Sequence, residues 1–405
     1  NVYTSNISST IVGLGNENLI VTGALTVVQA NTINALTTGI ITATLSTTAI
    51  TNLNNLTGTG NAYTITVADT SIAASDLNSL DGKTTAAVDA GTITTLTGTV
   101  AEINTVYSLS GISGLGDENI TAIGALTVTQ FNEIASKTSG IITATISDND
   151  MATLDGITES GHALTMSVTD AVVVAADLNV LDERTTVAVA VSSTTVAGSA
   201  ADINAIYDAN AAGQISGLGD EEQIITDLTI SASSLNTLNA KTTGTLKALA
   251  VTSITGSAAD INTIYDANAA GQISGLGDEE VSITDTTVEA SLLITLDSFT
   301  SGLINASSIN NLTGSATDQA TIRASSGITG LPSSMAEANI FSSLNTSVEV
   351  TNEQIDLEGF NTSKYLEKYS DLKNTFGNNT ALAVEHYIKY GHREGRTDSS
   401  SGSGS

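Results

Sequence analysis

Apolar positions along the chain recur as a short unit: an apolar residue, usually an Asn, then a second apolar residue three positions after the first. The pairs are Ile33/Leu36, Leu53/Leu56, Leu77/Leu80, Ile103/Val106, Phe131/Ile134, Leu154/Ile157, Leu178/Leu181, Ile203/Ile206, Leu235/Leu238, Ile261/Ile264, Leu293/Leu296 and Ile309/Leu312. Spacing of i, i+3 places both members on one face of a short helical turn. Several turns open with a capping-box pattern, as at Thr99-x-x-Glu102, Ser199-x-x-Asp202 and Ser257-x-x-Asp260. A breaker follows, as at Thr37-Thr38-Gly39, Thr138-Ser139-Gly140 and Thr242-Thr243-Gly244. Next come β-branched stretches with period-2 alternation, such as Ile41–Leu45, Tyr63–Val67 and Val281–Thr284. From Ile33 to Ile309 the unit repeats with a mean interval near 25 residues.

A unit of this length cannot bury its apolar face alone, so neighbours must stack. The predicted fold is mainly β: a parallel β-solenoid of about twelve coils over residues 1–330, or its α/β variant with a short helical turn in each coil. At a strand spacing of about 4.8 Å, twelve coils give a rod roughly 55 to 60 Å long. One Pro in 405 residues agrees, because Pro deletes a ladder hydrogen bond in a central strand.

Longer repeats overlie this unit. Gly198–Glu222 recurs at Gly256–Glu280 with the single change of Ala205 to Thr263, and Gly98–Asp117 is an older relative. The closing Gly-Leu-Gly also stands at Gly13–Gly15 and, degraded, at Gly330-Leu331-Pro332.

The most informative polar position is the Asn inside the apolar pair: Asn34, Asn54, Asn78, Asn104, Asn132, Asn179, Asn204, Asn236, Asn262 and Asn310. Asn is a mediocre helix former, but its amide both donates and accepts. The expectation is a structural ladder in which each Asn bonds the backbone of an adjacent coil.

Composition narrows the function. The chain carries 9 Tyr, 5 Phe and no Trp, so small aliphatic side chains must fill the core. The net charge of −30 opposes nucleic acid and anionic lipid as partners. The absence of Cys excludes disulfides and thiolate chemistry, and no apolar run reaches the length of a membrane span. The chain begins Asn1-Val2-Tyr3, which reads as a processed protein or a fragment.

Catalytic groupings are sparse. The three His are His162, in a Gly/Ser-rich loop, and His386 and His392 near the C-terminus. Acidic clusters directly follow the Gly-Leu-Gly turns: Asp117/Glu118, Asp220/Glu221/Glu222 and Asp278/Glu279/Glu280. Their repetition points to an ordered acidic edge or to Ca2+ held by carboxylates and turn carbonyls, rather than to an active site, which is needed once. Thr-x-Thr runs invite an ice-binding reading, but irregular coil lengths spoil the flat lattice it needs.

Character changes near Phe360. From there on, six basic residues face five acidic ones, so this tail carries +1 and residues 1–359 carry −31. Helical spacing of Tyr365, Leu366, Tyr369, Leu372 and Phe376, a stop at Gly377, and a second helix over Thr380–Tyr390 predict a small all-α hairpin at 360–398. Residues 331–359 read as a capping or linker segment, and 399–405 as a Ser/Gly linker.

The segment containing Phe360, Tyr365, Leu366, Tyr369, Asp371, Leu372, Phe376, Gly377, Ala383, His386, Tyr387, Gly391, Glu394, Gly395 and Arg396 resembles a helical module that recurs in large secreted and surface proteins of cyanobacteria and other marine bacteria. The DLNxLDxKTTG and ISGLGDE units look like repeats of such proteins. The resemblance implies an extracellular, surface, adhesive or layer-forming role. The expectation is thus a structural protein of the bacterial cell exterior and not an enzyme: a subunit of a filament, surface layer or adhesin stalk. Its expected partners are copies of itself, joined end to end where solenoid ends lack a cap, and surface polysaccharide. The rival is a carbohydrate-binding or polysaccharide-degrading β-solenoid.

Overall fold

The structure, a computed structural model, describes residues 15–46, 48–331, 360–391, 394 and 396–398. The expected linkers at 331–359 and 399–405 lie outside the described residues, Leu331 apart. The chain divides into two compact units, residues 1–226 with 238–247, and residues 227–237 with 248–405.

In the first unit, short strands of successive coils pair in parallel. One row is Leu19–Ile20, Ile41–Thr44, Ala62–Thr66, Val88–Asp89 and Ile112–Ser113. A second is Ser71–Ala73, Thr95–Gly98, Asn119–Leu126, Ile142–Ile146 and Ala163–Thr165. Paired residues are 20 to 24 apart in sequence, as for Ala43 and Tyr63, Ile65 and Val88, and Leu96 and Ile120. Each pairing therefore joins a coil to its successor. The second unit repeats the scheme in Thr229–Ser231, Ser253–Gly256, Glu280–Ile283, Ile304–Asn305 and Ile328–Thr329. This is the expected parallel solenoid in its α/β form.

The helical element exceeds a single turn in most coils. Helices include Ala74–Asp81, Val100–Ser108, Val128–Ala135, Ala175–Arg184, Ala200–Ala212, Ala258–Ala269, Ala290–Phe299 and Ala316–Ala324, while Ile50–Leu53 and Met151–Leu154 are one turn each. The capping box forms at Thr99, and also at Thr127: their side chains accept the Glu102 and Gln130 amides, and those side chains reach back to the cap backbone; at Ser199 and Ser257 the side chains accept the Asp202 and Asp260 amides, half of the expected box. Within each unit the apolar pairs and the inward strand residues are buried. Leu77, Leu80, Ile103, Ile134, Leu178, Ile203, Leu235, Ile261, Leu293 and their strand partners Ile41, Ile65, Leu96, Ile120 and Ile142 are fully buried. Outward residues of the same strands are exposed, as in Ile142–Ile146.

Two of the apolar pairs are corrected. Ile309 precedes the strand Asn311–Thr313 and Leu312 is its buried middle residue, and the helix of that coil carries Gln319 and Ile322 instead. In the first coil the helix Val27–Asn34 buries Ala30 rather than Leu36. Ala30 and Ile33 correspond to Phe131 and Ile134, 101 residues later, so the pattern there is out by three.

The C-terminal module is three short helices and not two: Thr362–Lys368, Ser370–Phe376 and Thr380–His386, the last running into a π-turn at Tyr387–Gly391. The first predicted helix breaks at Tyr369, whose φ of −117° leaves the helical region. Tyr365, Leu366, Leu372 and Ala383 form the core, with Phe360, Tyr369, Phe376 and Tyr387 against it. Arg396 bonds Asp371 at 2.8 Å and Glu394 at 2.8 Å and lies over the Tyr369 ring. The motif residues thus hold this small fold together; His392, Arg393 and Gly395 fall outside the described residues.

The close approach of coils is tightest at the breaker glycines. A Cβ on Gly244 would stand 2.1 Å from the Glu221 carbonyl oxygen, whereas one on Gly82 meets nothing nearer than 3.5 Å. Gly244→Ala is expected to cost about 1 to 3 kcal/mol. Gly82→Ala, at a φ of −65°, should be neutral or stabilising by up to about 1 kcal/mol. Thermal denaturation of both variants checks the register of stacking.

Candidate functional site

The Gly-Leu-Gly-acidic turns are where sequence chemistry concentrates, and their geometry repeats closely. In each, the first Gly has a positive φ, 89° at Gly114, 92° at Gly217 and 89° at Gly275. A Cβ there would meet the preceding coil, at Gly91, Val191 and Leu249 respectively. Both observations demand glycine. The turn then sends the following acidic pair in opposite directions. Asp117, Asp220 and Asp278 are exposed; Glu118, Glu221 and Glu279 are buried, at 0%, 2% and 1% exposure.

Each buried carboxylate folds back onto its own turn. It accepts the amide two residues before it, Gly116 at 2.7 Å, Gly219 at 2.8 Å and Gly277 at 2.9 Å. It also accepts a phenolic hydroxyl from the preceding helix: Tyr107 on Glu118, Tyr207 on Glu221 at 2.8 Å and Tyr265 on Glu279 at 2.9 Å. Burial pushes the Tyr207 phenol up to about 12, and it raises Tyr107 and Tyr265 as well, so the hydroxyls stay protonated donors. A buried carboxylate is tolerable only when so partnered.

The next coil closes over this turn with its Thr-Thr-Gly or Thr-Ser-Gly breaker. The first Thr donates to the Glu carbonyl: Thr37 to Glu17 at 2.8 Å, Thr138 to Glu118 at 2.7 Å, Thr242 to Glu221 at 3.1 Å and Thr300 to Glu279 at 3.4 Å. The second residue's amide donates to the last Gly of the turn, as Ser139 to Gly116 at 2.9 Å and Thr243 to Gly219 at 2.8 Å. The breaker and the acidic turn are therefore two halves of one inter-coil lock. A variant uses Asn61 and His162 as the inward turn residues, with Thr85 and Thr186 donating to their carbonyls at 2.8 and 2.9 Å.

This geometry bears directly on the expected Ca2+ positions. The acidic residues do not converge: Glu118, Glu221 and Glu279 face inward onto Tyr and backbone partners, Asp117, Asp220 and Asp278 face solvent, Glu280 is exposed, and Glu222 pairs with Lys247 at 2.8 Å. Among the described residues no group of three or more Asp, Glu or His side chains is placed to hold a metal ion.

Other carboxylates cap helices across coils, a role that sequence reading missed. Asp69 accepts the Ile50 amide at 2.7 Å, Asp148 that of Val128 at 2.7 Å, Asp170 that of Met151 at 2.8 Å and Asp285 that of Ala258 at 2.7 Å. Each takes an otherwise orphaned first-turn donor, where a negative charge also meets the positive end of the helix. Their signal in the sequence is an Ile or Val, a small residue, then Asp, at 67–69, 146–148, 168–170, 225–227 and 283–285.

The Asn ladder forms in part. Asn78, Asn179 and Asn236 donate to the carbonyls of Glu102, Asp202 and Asp260, each in the first turn of the following helix, at 3.0, 3.1 and 3.1 Å. Asn132 reaches Gly156 at 2.7 Å, Asn262 reaches Leu292 at 3.2 Å, and Asn54 reaches the Asp76 carboxylate at 3.0 Å. Four positions depart. Asn34 accepts from Asn61, and the ladder bond in that coil comes from Asn31 to Asn55. Asn204 donates within its own helix to Asp208 and accepts from Lys241. Asn104 makes no bond to an adjacent coil, and its buried amide oxygen has no partner, as is also true of the amide oxygens of Asn54, Asn78 and Asn262, which only donate; Asn310 is exposed outside any helix. The chain matches no family model and no curated protein.

Tyr265→Phe deprives the buried Glu279 carboxylate of a donor and is expected to cost about 1 to 3 kcal/mol. Asn78→Ala should cost about 1 kcal/mol by freeing the Glu102 carbonyl, and more than Asn204→Ala, whose partners are the exposed Asp208 and the half-buried Lys241. Chemical denaturation of the three variants gives the order; an Asn204→Ala as damaging as Asn78→Ala would remove the distinction drawn between them.

Proposed function

We propose that this chain is a structural repeat protein of the bacterial cell exterior, a self-associating subunit of a filament, surface layer or adhesin stalk. The observation that carries this reading is the use made of the reactive side chains. The buried Glu, Tyr and Thr of the turns bond one another and the backbone at Glu118, Glu221 and Glu279 alike, and the helix-capping Asp residues do the same. Chemistry repeated identically along a chain builds an array; catalysis needs a single convergent site. No helix among the described residues is long and apolar enough to cross a membrane, so this reading places the chain on the surface through association with other copies or with wall polymers.

A second reading rests on one groove of about 460 Å³ bordered by Asn34, Thr37, Thr38, Thr59 and Asn61. Its neutral amides and hydroxyls suit a polysaccharide segment, and the absence of acidic residues from its lining favours binding over hydrolysis.

Sedimentation velocity across a hundredfold range of protein concentration is expected to show growth into large species, and electron microscopy to show them as ordered arrays. A strict monomer at the highest concentration defeats the self-association. Protease accessibility on intact cells of the source bacterium tests the location, and binding to neutral oligosaccharides without release of reducing ends tests the second reading.

A further inference from the structure

His162 is the sole histidine of residues 1–385, and it occupies a structural position rather than a loop surface. It is 9% exposed. Its Nδ1 accepts the buried amide of Ile142 at 3.1 Å, and the Phe131 ring meets it edge-on at 5.3 Å. Its carbonyl accepts Thr186 of the following coil at 2.9 Å. Ring and carbonyl of this one residue thus tie together three successive coils. The corresponding residue 101 positions earlier is Asn61, whose Oδ1 accepts the equivalent amide of Ile41 at 2.9 Å. The two positions share this acceptor role; Asn61 also donates to Asn34 at 2.9 Å where His162 meets Phe131, and an amide oxygen accepts at every pH, a ring nitrogen only while it is unprotonated.

We propose that His162 makes its coil an acid-sensitive joint of the repeat array: protonation of the ring removes the acceptor of the Ile142 amide and opens the backbone there, while the coil built on the Asn61 turn stays closed. This is independent of whether the chain self-associates. Both imidazolium nitrogens are donors, so the charged ring faces the Ile142 N–H donor to donor, beside an aromatic edge that is itself positive. The charged groups on the packed elements are few. Glu159, in the same turn, favours the protonated ring, and burial outweighs it, holding the ring below the ordinary imidazole value. Glu133 and Lys137 of the helix bearing Phe131 are exposed. At the end of the next helix Arg184 is held on the Thr158 carbonyl at 3.0 Å, and burial raises the Asp182 carboxyl.

The direction of the effect follows from linkage. A histidine with a folded-state pKa below its unfolded one binds its proton more readily when unfolded. Its contribution to stability is complete above pH about 6.5 and is lost as pH falls through the folded-state value.

The test compares the full-length chain with His162→Asn, the residue already used at Asn61. The protection factor of the Ile142 amide should fall on the order of tenfold in the wild type between pH 7 and pH 5 for each unit by which the ring's pKa is depressed. In His162→Asn it should follow the shallower trend common to other core amides. Titration of the acidic residues is shared by both chains, so the difference between them isolates the ring. Should the variant fold poorly, the His162 ring protons of the wild type are titrated by NMR, with a midpoint below 6.5 expected. A midpoint at or above 6.5, or a wild-type minus variant difference that does not change with pH, overturns the proposal.

Discussion

The peptide groups of a 25-residue coil cannot satisfy one another, and the coils described above depend on that deficit. A coil has too few residues to close its own turns, so the donor or acceptor it lacks is supplied from the next level: a strand edge, a Thr hydroxyl, an Asp carboxylate or an Asn amide. Unpaired buried peptide groups cost free energy comparable to a lost hydrogen bond, so a misplaced neighbour is penalised at several points at once. The small side chains of the core fix the distance between levels, and the polar groups at the corners fix the register.

The same constraint explains where the acidity goes. Buried Glu residues complete Gly-Leu-Gly turns, and Asp residues just past strand ends quench helix N-termini. These carboxylates have a local structural use, and the composition that favoured a metal-binding edge is partly accounted for by capping. What remains exposed, such as Asp117, Asp220 and Asp278, borders the turns at regular intervals.

Periodicity made the solenoid legible, because the i, i+3 pairs and the alternating stretches each report one buried face. It failed where side chains were too small or too polar to register as apolar: Ala30 in the first coil and Gln319 in the last both occupy core positions, and the pattern slid to the nearest Leu or Ile. The Asn at i+1 was readable as a ladder, yet Asn204 has the same sequence context as Asn262 and different partners. Lys241 stands where the duplicate has Phe299 and draws Asn204 away; a residue 37 positions distant decides the outcome. The inward turn of Glu118, Glu221 and Glu279 was hidden because a Gly-Leu-Gly-Asp-Glu string gives no hint that its last two residues point opposite ways. The nearby Tyr in each long helix was the available clue.

The duplicated segment Gly198–Glu222 and Gly256–Glu280 carries both halves of a closure, a Tyr-bearing helix and the acidic turn, and each is followed by a breaker that seals it. A block of 58 residues beginning anywhere in this stretch presents the same chemistry at its upper and lower boundary. Unequal recombination between the two copies would therefore delete or add such a block without leaving a mismatched junction. The number of coils can thus change in discrete steps while the turn closure at the junction keeps the same residues, which separates array size from fold.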